Sequence, residues 1–279
     1  MLINTPDKND FSSAAYWVVV QQDELWLQAS DPWLPYGSAD DLFVDFKANS
    51  AMQVGEHAGH PVYMVNAGSV VLAAEYPAEF IEFRELITQT QLEEHLFSIA
   101  AKAIQFQHFL STHKFCGRCG KRMYAVSWEL AMHCKHCRHR CYPRLSPCVI
   151  MAVLDGGKLL LARGKKSRSG RFSILAGFVE PGETLEQAVA REVKEEVGVK
   201  VNNIRYVGSQ PWPFPHQIMV GFVADHQSGE IRIDEQEIAE AAWYTLDDLP
   251  ETPGEYSIAG KMISQLVENY LSNGQQSKN

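Results

Sequence analysis

The sequence lacks a long apolar run and any targeting pattern at its start. None of its 279 residues belongs to an uninterrupted apolar run of about eighteen, the length that a membrane-crossing helix needs. The polar opening MLINTPDKND lacks the basic-then-apolar order of a secretory signal. We therefore expect a cytoplasmic protein with no membrane partner. At 46% hydrophobic residues, the chain is long enough for two or three domains with cores of their own.

The sequence also lacks the overall positive charge of a protein whose whole surface binds nucleic acid, because its net charge is −9. One segment departs from this average. Residues 113–146 contain eight basic residues against a single acidic residue, Glu129, which gives a local net charge of +7. A basic segment in an acidic chain is expected to attract phosphates or an acidic partner.

Cysteine is absent outside residues 116–148, and four of the six cysteines form two close pairs. The four residues are Cys116, Cys119, Cys134 and Cys137. In an intracellular chain this spacing predicts a tetrahedral zinc site whose four thiolates leave no open position for catalysis. An iron site of the rubredoxin type and four unligated thiols are the alternatives. We expect Cys141 and Cys148, which lie outside the pattern, to be core residues or neutral filler rather than ligands.

The cysteine pairs separate two longer segments, so the expected domains are residues 1–113, a zinc ribbon at 114–146, and residues 147–279. The first contains the strand-like runs YWVVV, ELWLQ, PVYMV and SVVLAAEY, and then a helical stretch from about Leu92 to Thr112, which is typical of an α+β domain. The last opens with CVIMAVLDGGKLLLAR, two apolar runs around a hairpin turn. Further strands and two helices follow, which predicts a mixed α/β sandwich.

One predicted helix of the last segment includes AREVKEEVG, residues 190–198, with three glutamates. Thr184 and Gln187 fit a capping box at its start, and Gly198 fits a stop at its end. The helix is therefore expected to run from about Leu185 to Val197.

The direction of the glutamates can be read from an ideal helical wheel. The apolar residues form a stripe from about 300° to about 120°, and Glu192 and Glu196 fall inside it, at about 340° and 20°. Two carboxylates one turn apart repel each other, and burial raises the cost of each charge. Four explanations stay open from the helix alone: protonation of one carboxylate, neutralisation by neighbouring arginines, a solvated helix edge, or bound Mg²⁺ or Mn²⁺.

The residues around this helix resemble the signature of the Nudix hydrolases. The matching pattern is Gly177-x5-Glu183-x7-Arg191-Glu192-Val193-x-Glu195-Glu196-x-Gly198-Val199, in which every fixed position is present. The resemblance implies a mixed sheet sandwiched between helices, with a loop–helix–loop motif that binds divalent metals. It also implies hydrolysis of a nucleoside diphosphate linked to another group.

The resemblance implies roles for individual residues of this chain. The implied metal ligands are Glu192, Glu196, Glu237 and the backbone carbonyl of Ala176. Arg191 would pair with Glu183 and hold the loop against the helix. The role of Glu195 stays open between ligand, base and orienting group. Glu237 lies in the acidic run IDEQEIAE, for which a solvated surface is the alternative interpretation.

A second motif is SQPWPFPHQ, residues 209–217. Its prolines alternate with Trp212 and Phe214, which predicts a stiff extended loop rather than an interior strand. The two rings would form a platform for a flat ligand, or the loop would simply pack over the sheet. The motif resembles the SQPWPFPxS array of the NADH pyrophosphatase (NAD-capped RNA hydrolase) branch, with Gln217 in place of the final serine. That branch also has a zinc ribbon before the Nudix domain and a divergent N-terminal domain.

The resemblance to this branch implies a set of substrate-binding residues. They are Gln210, Pro211, Trp212, Pro213, Phe214, Pro215, His216, Gln217, Phe178, Glu129, Tyr142, Ala259 and Arg84. Ala259 and Arg84 rest on local similarity alone. Because the branch is dimeric, Tyr142 is expected to reach the site of a partner subunit. The basic loop RGKKSRSGR, residues 163–171, either steers an anionic substrate or is solvated.

The expected fold is thus an N-terminal α+β domain, a central zinc ribbon and a C-terminal Nudix α/β/α sandwich. The expected cofactors are structural Zn²⁺ and catalytic Mg²⁺ or Mn²⁺. The expected reaction is hydrolysis of the pyrophosphate of NADH or NAD⁺ to NMN(H) and AMP by a homodimer, with NAD-capped RNA as a second candidate substrate. The alternative is a non-catalytic nucleotide sensor or a zinc-ribbon RNA adaptor on a Nudix scaffold.

Overall fold

The computed structural model describes residues 10–29, 33–89, 92–126, 128–167 and 170–276. By its internal contacts the chain divides into two units. The first unit comprises Met1–Arg144 together with Pro213–His216, and the second comprises Leu145–Trp212 and Gln217–Asn279. Within the described residues, no helix combines the length and the apolar character that crossing a membrane requires.

The first unit begins with a mixed sheet, flanked by helices. Its strands are β1 (Ala15–Gln21), β2 (Glu24–Gln28), β3 (Tyr36–Gly37), β4 (Phe43–Asp45), β5 (Ala51–His57), β6 (His60–Asn66), β7 (Val71–Leu72) and β8 (Ala78–Glu82). Its helices are α1 (Ala39–Leu42), α2 (Phe83–Gln89) and α3 (Glu94–Thr112). The strand order is β5-β6-β1-β2-β8, with β3 on β1, and β4 pairs with β7 in a separate ladder. Strand β1 is parallel to β6 and antiparallel to β2.

The core of this sheet is built on aromatic and β-branched side chains. Trp17 on β1 is fully buried, with the rings of Phe43 and Tyr63 at 5.0 and 5.4 Å between centroids. Its indole Nε1 donates to the carbonyl of Gly37 at 3.0 Å, so the one polar atom of the side chain is satisfied.

The expectation of a strand over SVVLAAEY, residues 69–76, is wrong for most of that segment. Only Val71–Leu72 pairs with another strand. Just before it, Ala67–Ser69 forms a 3₁₀ turn in which the Asn66 side chain accepts from the Gly68 amide at 2.7 Å. A side chain that bonds to the nearby backbone in this way competes with extension of the ladder.

The cysteine-rich segment forms a small sheet of three short strands within the first unit. The strands are β9 (Tyr124–Ala125), β10 (Met132–His133) and β11 (Arg140–Cys141), with β10 in the middle and both pairings antiparallel. Phe109 from the end of α3 packs with Met123 and Met132 in the core of this segment. The ribbon therefore has too little apolar material for a large core of its own, which is typical of metal-stabilised segments.

The second unit is a mixed six-stranded sheet with two helices. Its elements are β12 (Ser146–Asp155), β13 (Lys158–Gly164), β14 (Leu175–Phe178), α4 (Leu185–Val197), β15 (Lys200–Trp212), β16 (Gln217–Ser228), β17 (Ile238–Thr245) and α5 (Ile258–Gln276). The order is β15-β16-β12-β13-β17, with β14 also on β12. The turn Gly156-Gly157, with positive φ at both residues, joins β12 to β13 as predicted.

Alternation along β12 divides its side chains between two cores, one on each face of the sheet. Val149 and Met151 pack with apolar residues of α4, whereas Ile150 and Ala152 pack with apolar residues of α5. Because successive strand residues point to opposite faces, one fully buried strand contributes to both cores. The predicted α/β/α sandwich is confirmed.

The prediction of an extended loop over SQPWPFPHQ is wrong for its first four residues, which lie in β15, and for its last, Gln217, which begins β16. Ser209–Trp212 ends β15, in register with Gln217–Val220 of β16. Strand β15 lies at the edge of the sheet, where a proline can be accommodated without breaking an interior ladder. The remaining residues, Pro213–His216, form the turn between the two strands.

Candidate active site

Helix α4 runs from Leu185 to Val197, as predicted. The Thr184 hydroxyl accepts from the Gln187 amide at 3.2 Å, and the Gln187 side chain accepts from the Thr184 amide at 2.8 Å. Gly198 ends the helix in the left-handed conformation, with φ of 75°. Both ends of the helix that carries the glutamates are therefore fixed by local hydrogen bonds.

Arg191 fixes the preceding loop to the helix, as the resemblance implied. Its Nε and Nη2 donate to the two carboxylate oxygens of Glu183 at 2.6 and 2.9 Å, a bidentate pair. Nη2 also donates to the carbonyl of Phe178 at 2.8 Å, and Nη1 donates to Glu192 and Glu195, both at 2.9 Å. One guanidinium thus joins a strand, a loop and a helix, and it lowers the pKa of Glu183.

Glu192 is held on the side of α4 that faces the sheet, with its side chain only 12% exposed. Its carboxyl group lies against Gly177 of β14, where a Cβ atom would overlap it. Burial raises the pKa of Glu192, while the hydrogen bond from Arg191 opposes that shift. The glycine of the motif is therefore needed for space.

Glu196, one turn further along, is buried, as the wheel predicted. Burial, followed by the charges of Glu192, Glu237 and Asp234, raises its pKa to about 8. By contrast, Glu195 is 60% exposed and accepts from Arg191. The helix thus presents two carboxyl groups at the sheet and one at the surface.

The residues fit a bound divalent cation by their chemistry. Glu196 is an oxygen donor whose charge is disfavoured by burial and by nearby carboxylates, and a hard cation would reverse that penalty. Glu237 is exposed in the turn before β17, and its charge raises the pKa of both Glu192 and Glu196. Ala176 lies on β14, in register with Ile150. In the described part of the chain, these carboxylates do not form a group as tight as the cysteines.

The four predicted zinc ligands lie together in the ribbon, with all four sulfur atoms within 4.8 Å of one another. Cys116 Sγ lies 3.6 Å from Cys137 Sγ, and Cys119 Sγ lies 3.5 Å from Cys134 Sγ. Tetrahedral zinc with Zn–S bonds of about 2.3 Å places its sulfur ligands roughly 3.8 Å apart. The spacing therefore fits a closed zinc site.

The two cysteine pairs have the same backbone arrangement. Gly120 and Arg138 follow the second cysteine of each pair, with φ of 70° and 60°. Their amides donate to the carbonyls of Cys116 and Cys134, both at 2.8 Å. Backbone amides also lower the pKa of the Cys134 thiol, to about 6, and the largest contribution comes from the amide of Cys137. The first pair has a glycine at this position and the second pair has an arginine, yet both adopt the same left-handed turn.

Several of the implied substrate residues in the second unit have structural contacts. Gln210 is buried, and its side chain donates to the carbonyl of Tyr256 at 3.0 Å and accepts from the amide of Ile258 at 2.6 Å. It therefore holds the start of α5, whose next residue, Ala259, is buried in the core. Trp212 packs against the same core, whereas Phe178 is 51% exposed.

The implied residues of the first unit fall into two groups. Phe214 lies under the guanidinium of Arg84, at 3.9 Å from the ring centroid, and stacks on Phe83 at 6.0 Å. In the ribbon, the Tyr142 hydroxyl donates to Glu129 at 3.3 Å. Glu129 Oε1 also forms an ion pair with Arg140 Nη1 at 2.7 Å, but it accepts no hydrogen bond.

The remaining residues of the implied substrate-binding set lie next to Gln210, Trp212 and Phe214 in the sequence. Pro211 is paired with Ile218 in the sheet, and Gln217 is the first residue of β16. The turn residues Pro213, Pro215 and His216 belong to the first unit, where the His216 ring lies 5.6 Å from that of His108.

The basic loop of residues 163–171 is partly neutralised. Arg163 forms an ion pair with Glu240 at 3.0 Å, and Arg171 forms one with Glu251 at 2.7 Å. Arg168 and Ser169 lie outside the described residues. These two ion pairs reduce the positive charge that the loop could offer to an anionic substrate.

Sequence reasoning missed one group beside the glutamates. Cys148 is buried at the start of β12, and its burial and the charges of Glu192 and Glu196 raise the pKa of its thiol to about 12. It was expected to be a core residue or neutral filler, but not beside the acidic cluster. The signal for that position is the register of β12 with β14, which aligns Cys148 with Phe178.

Comparison with known families agrees with this geometry. The NUDIX domain model matches residues 144–266, and the model for the NADH pyrophosphatase zinc ribbon domain matches residues 111–142. The resemblance stated from the sequence is therefore confirmed for both segments.

Comparison with individual proteins extends the match to most of the chain. The NAD-capped RNA hydrolases NudC of Escherichia coli O1:K1 / APEC and of Escherichia coli strain SMS-3-5 are each 44% identical over 252 residues, which cover 90% of this chain and 93% of theirs. Among solved structures, a NUDIX hydrolase from Nitrosomonas europaea aligns at 23% identity with a TM-score of 0.49, covering 56% of this chain and 91% of its own. The 44% identity to the NudC proteins over most of both chains shows that this chain belongs to the NAD-capped RNA hydrolase NudC family of Nudix hydrolases.

Proposed function

We propose that this protein hydrolyses the pyrophosphate bond of NAD(H), giving NMN(H) and AMP, and removes NAD caps from the 5′ ends of RNA. The observation that carries the proposal is the pair of glutamates on the buried side of α4: Glu192, which Arg191 holds against Gly177, and the buried Glu196. The names of the related NAD-capped RNA hydrolases support the same reaction. A sensor or an adaptor has no need for such a costly arrangement of buried charge.

Glu192, Glu196 and Glu237, with the Ala176 carbonyl, are the residues that would hold Mg²⁺ or Mn²⁺. Divalent cations at such a site neutralise pyrophosphate oxygens and make water a stronger nucleophile. The protein contributes the fixed positions of the carboxylate and carbonyl oxygens that would bind the cations. Arg191 donates to Glu192, and the capping box fixes the helix, so little reorganisation is needed when the substrate binds.

Glu195 is the residue that we propose as the acceptor or orienting group for the proton of the attacking water. It is exposed, and Arg191 Nη1 holds its carboxylate at 2.9 Å. A charged carboxylate in a fixed position can accept a proton without a search over rotamers. Glu183 contributes through Arg191 and does not need to touch the substrate.

We propose that the substrate contacts come from the set implied by the resemblance. Phe178 has the exposed ring suited to stacking on a base, and Phe214 has its ring already held by Arg84. We further propose a homodimer, in which Tyr142 and Glu129 of one ribbon serve the site of the partner. The domain division 1–113, 114–146 and 147–279 and a cytoplasmic location belong to the same proposal.

The reaction can be tested directly with purified protein. NADH or NAD⁺ is incubated with Mg²⁺ or with Mn²⁺, and the products are separated by chromatography or identified by phosphorus NMR. We expect equal amounts of AMP and NMN(H), with turnover lost on removal of the divalent cation. Glu196→Gln should lower kcat by orders of magnitude, whereas Glu186→Gln, at an exposed position on the same helix, should not. Intact dinucleotide in every condition would contradict the proposal.

NAD-capped RNA is tested with the same pair of variants. A short RNA with a 5′ NAD cap should be converted to 5′-monophosphate RNA by the wild-type protein and by Glu186→Gln. A protein that binds capped RNA without converting it would instead support the adaptor interpretation.

A further inference from the structure

A cavity of about 570 Å³ lies within the first unit. It is bounded by the turn between β1 and β2, by the chain that follows β6, by one face of α3, and by Pro213 and Pro215. Volumes of roughly 300–1,000 Å³ are typical of sites for small molecules. The metal-ligand candidates described above do not line it.

Gln107 lines this cavity from α3 and is only 9% exposed. Within the described ranges of the chain, its carboxamide makes no hydrogen bond, and its polar atoms are accessible rather than sealed in the core. The donors and the acceptor of this amide are therefore free to bond to a molecule that enters the cavity. A ligand in the cavity that bonds to Gln107 would account for the amide at this position.

The other polar groups of the lining indicate what kind of ligand fits. Gln21, Gln22 and Asn66 contribute three further carboxamides, although the oxygen of Asn66 already accepts one hydrogen bond, from the Gly68 amide. The lining contains no lysine or arginine, and Asp23 is its one carboxylate. The lining therefore offers no positively charged side chain of lysine or arginine to a phosphate or another anion. A neutral ligand with alternating donors and acceptors could form hydrogen bonds with the carboxamides.

Two further features favour a flat ring. Pro213, Pro215 and the buried Ile104 supply rigid apolar surface, on which a ring can lie without displacing charge. His108 also lines the cavity, and burial, with the nearby His216 and His113, lowers its pKa. A neutral imidazole offers one donor and one acceptor, which again suits an uncharged polar partner.

We propose that this cavity binds an unpaired nucleobase, supplied either by a free nucleoside or by single-stranded RNA. Gln107 would pair with a donor–acceptor edge of the base, as glutamine pairs with N6 and N7 of adenine. The neighbouring carboxamides would bond to the remaining polar atoms, and the prolines would cover one face of the ring. The glutamates of α4 do not line this cavity, whereas Pro213 and Pro215, which belong to the substrate-contact set proposed above, do. The proposal rests on the lining of the cavity and does not depend on the hydrolysis.

The test uses the full-length protein and 8-azidoadenosine as a photoreactive probe. After irradiation, labelled peptides are identified by mass spectrometry. We expect label on α3 or on the turn between β1 and β2, suppressed by excess adenosine but not by ribose 5-phosphate. Gln107→Leu should reduce this label at least tenfold, whereas Gln105→Leu, on the same helix but outside the lining, should not.

A second variant guards against a folding defect. Ser111 lines the cavity from an exposed position on α3, so Ser111→Phe should fill the cavity without disturbing the core. Both variants should keep their bound zinc and their melting temperature. Label on α3 that neither variant reduces, or label confined to other peptides, would overturn the proposal.

The source of the base is distinguished by competition. If an unstructured oligoadenylate suppresses the label at lower concentration than adenosine, the ligand is a base of an RNA strand. If adenosine is the stronger competitor, the ligand is a free nucleoside. Suppression by neither, or equal suppression by ribose 5-phosphate, would exclude recognition of a base.

Discussion

The carboxyl group of Glu192 occupies the space that a side chain at position 177 would need, so it lies directly on the backbone of Gly177. Gly177 does not adopt a positive φ, and its role is to give room. The strand therefore limits the carboxylate on one side, and Arg191 holds it on another, at 2.9 Å. The position of the carboxylate is set by two elements distant from each other in sequence.

Replacement of Gly177 by alanine should displace Glu192 and lower kcat by about a hundredfold or more, because ligand displacements of about 1 Å have effects of this size. The melting temperature should also fall, since α4 packs on β14 through this contact. Gly208→Ala is the matched control, as a Cβ atom at that strand position meets no atom within 4 Å. Equal effects of the two substitutions on kcat would contradict the assigned role of Gly177.

Arg191→Lys should lower activity and stability although the charge is kept. Lysine cannot form the bidentate pair with Glu183 or reach the carbonyl of Phe178 at the same time. We expect a loss of roughly 1–3 kcal/mol in the free energy of unfolding, measured by urea denaturation. Arg205→Lys, which alters an exposed bidentate pair with Asp225, should change it by less than about 1 kcal/mol.

The stability of the protein without Mg²⁺ should depend on pH through Glu196. Its pKa is raised from 4.5 to about 8, so between these values the folded protein holds a proton that the unfolded chain has released. Stability contributed in this way is present at low pH and is lost as pH rises towards 8. Glu196→Gln should therefore become increasingly more stable than the wild type as pH rises, in urea denaturation with zinc retained. The stability of Glu186→Gln should change with pH in the same way as that of the wild type.

Zinc content should separate the ribbon cysteines into two classes. Cys134→Ser removes one of four clustered thiolates and should reduce bound zinc well below one ion per chain. Cys141→Ser should leave one zinc, because Cys141 Sγ contacts His139 Nε2 at 3.2 Å and lies outside the cluster. Elemental analysis of the purified variants measures this, and equal zinc loss in both would contradict the assignment.

Binding of capped RNA should be more sensitive to salt than binding of NADH. The ribbon segment has a net charge of +7, and each phosphate contact with a single strand changes the slope of log K against log salt by about −0.7. Neutralising the exposed Lys121 and Arg122 together should make that slope shallower by roughly 1.4, without changing the slope for NADH. Lys158→Ala with Lys200→Ala, outside the ribbon, is the matched control. An unchanged RNA slope would remove the ribbon from RNA binding.

Features set by local sequence were predictable. The bounds of α4 follow from Thr184, Gln187 and Gly198, each of which acts within one turn of the helix. The burial of Glu196 follows from its position on the wheel, and the grouping of the four cysteines follows from their spacing.

Features set by contacts between distant segments were not predictable. The place of Ser209–Trp212 in an edge strand depends on its register with β16, which alternating prolines do not reveal. The role of Gln210 as a support for α5 requires a contact 48 residues along the chain. The position of Cys148 beside the glutamates likewise depends on strand order rather than on neighbouring residues.

The guanidinium of Arg191 has five N–H groups, and Glu183, Glu192, Glu195 and the Phe178 carbonyl take up all of them. Substitutions among these partners should consequently show strong epistasis, because once one partner is lost the arginine can rotate and weaken the others. A second change then costs less than it would alone. During evolution, Arg191 and its partners should therefore be replaced together rather than one at a time. A library of single substitutions would accordingly underestimate the number of combinations that fold.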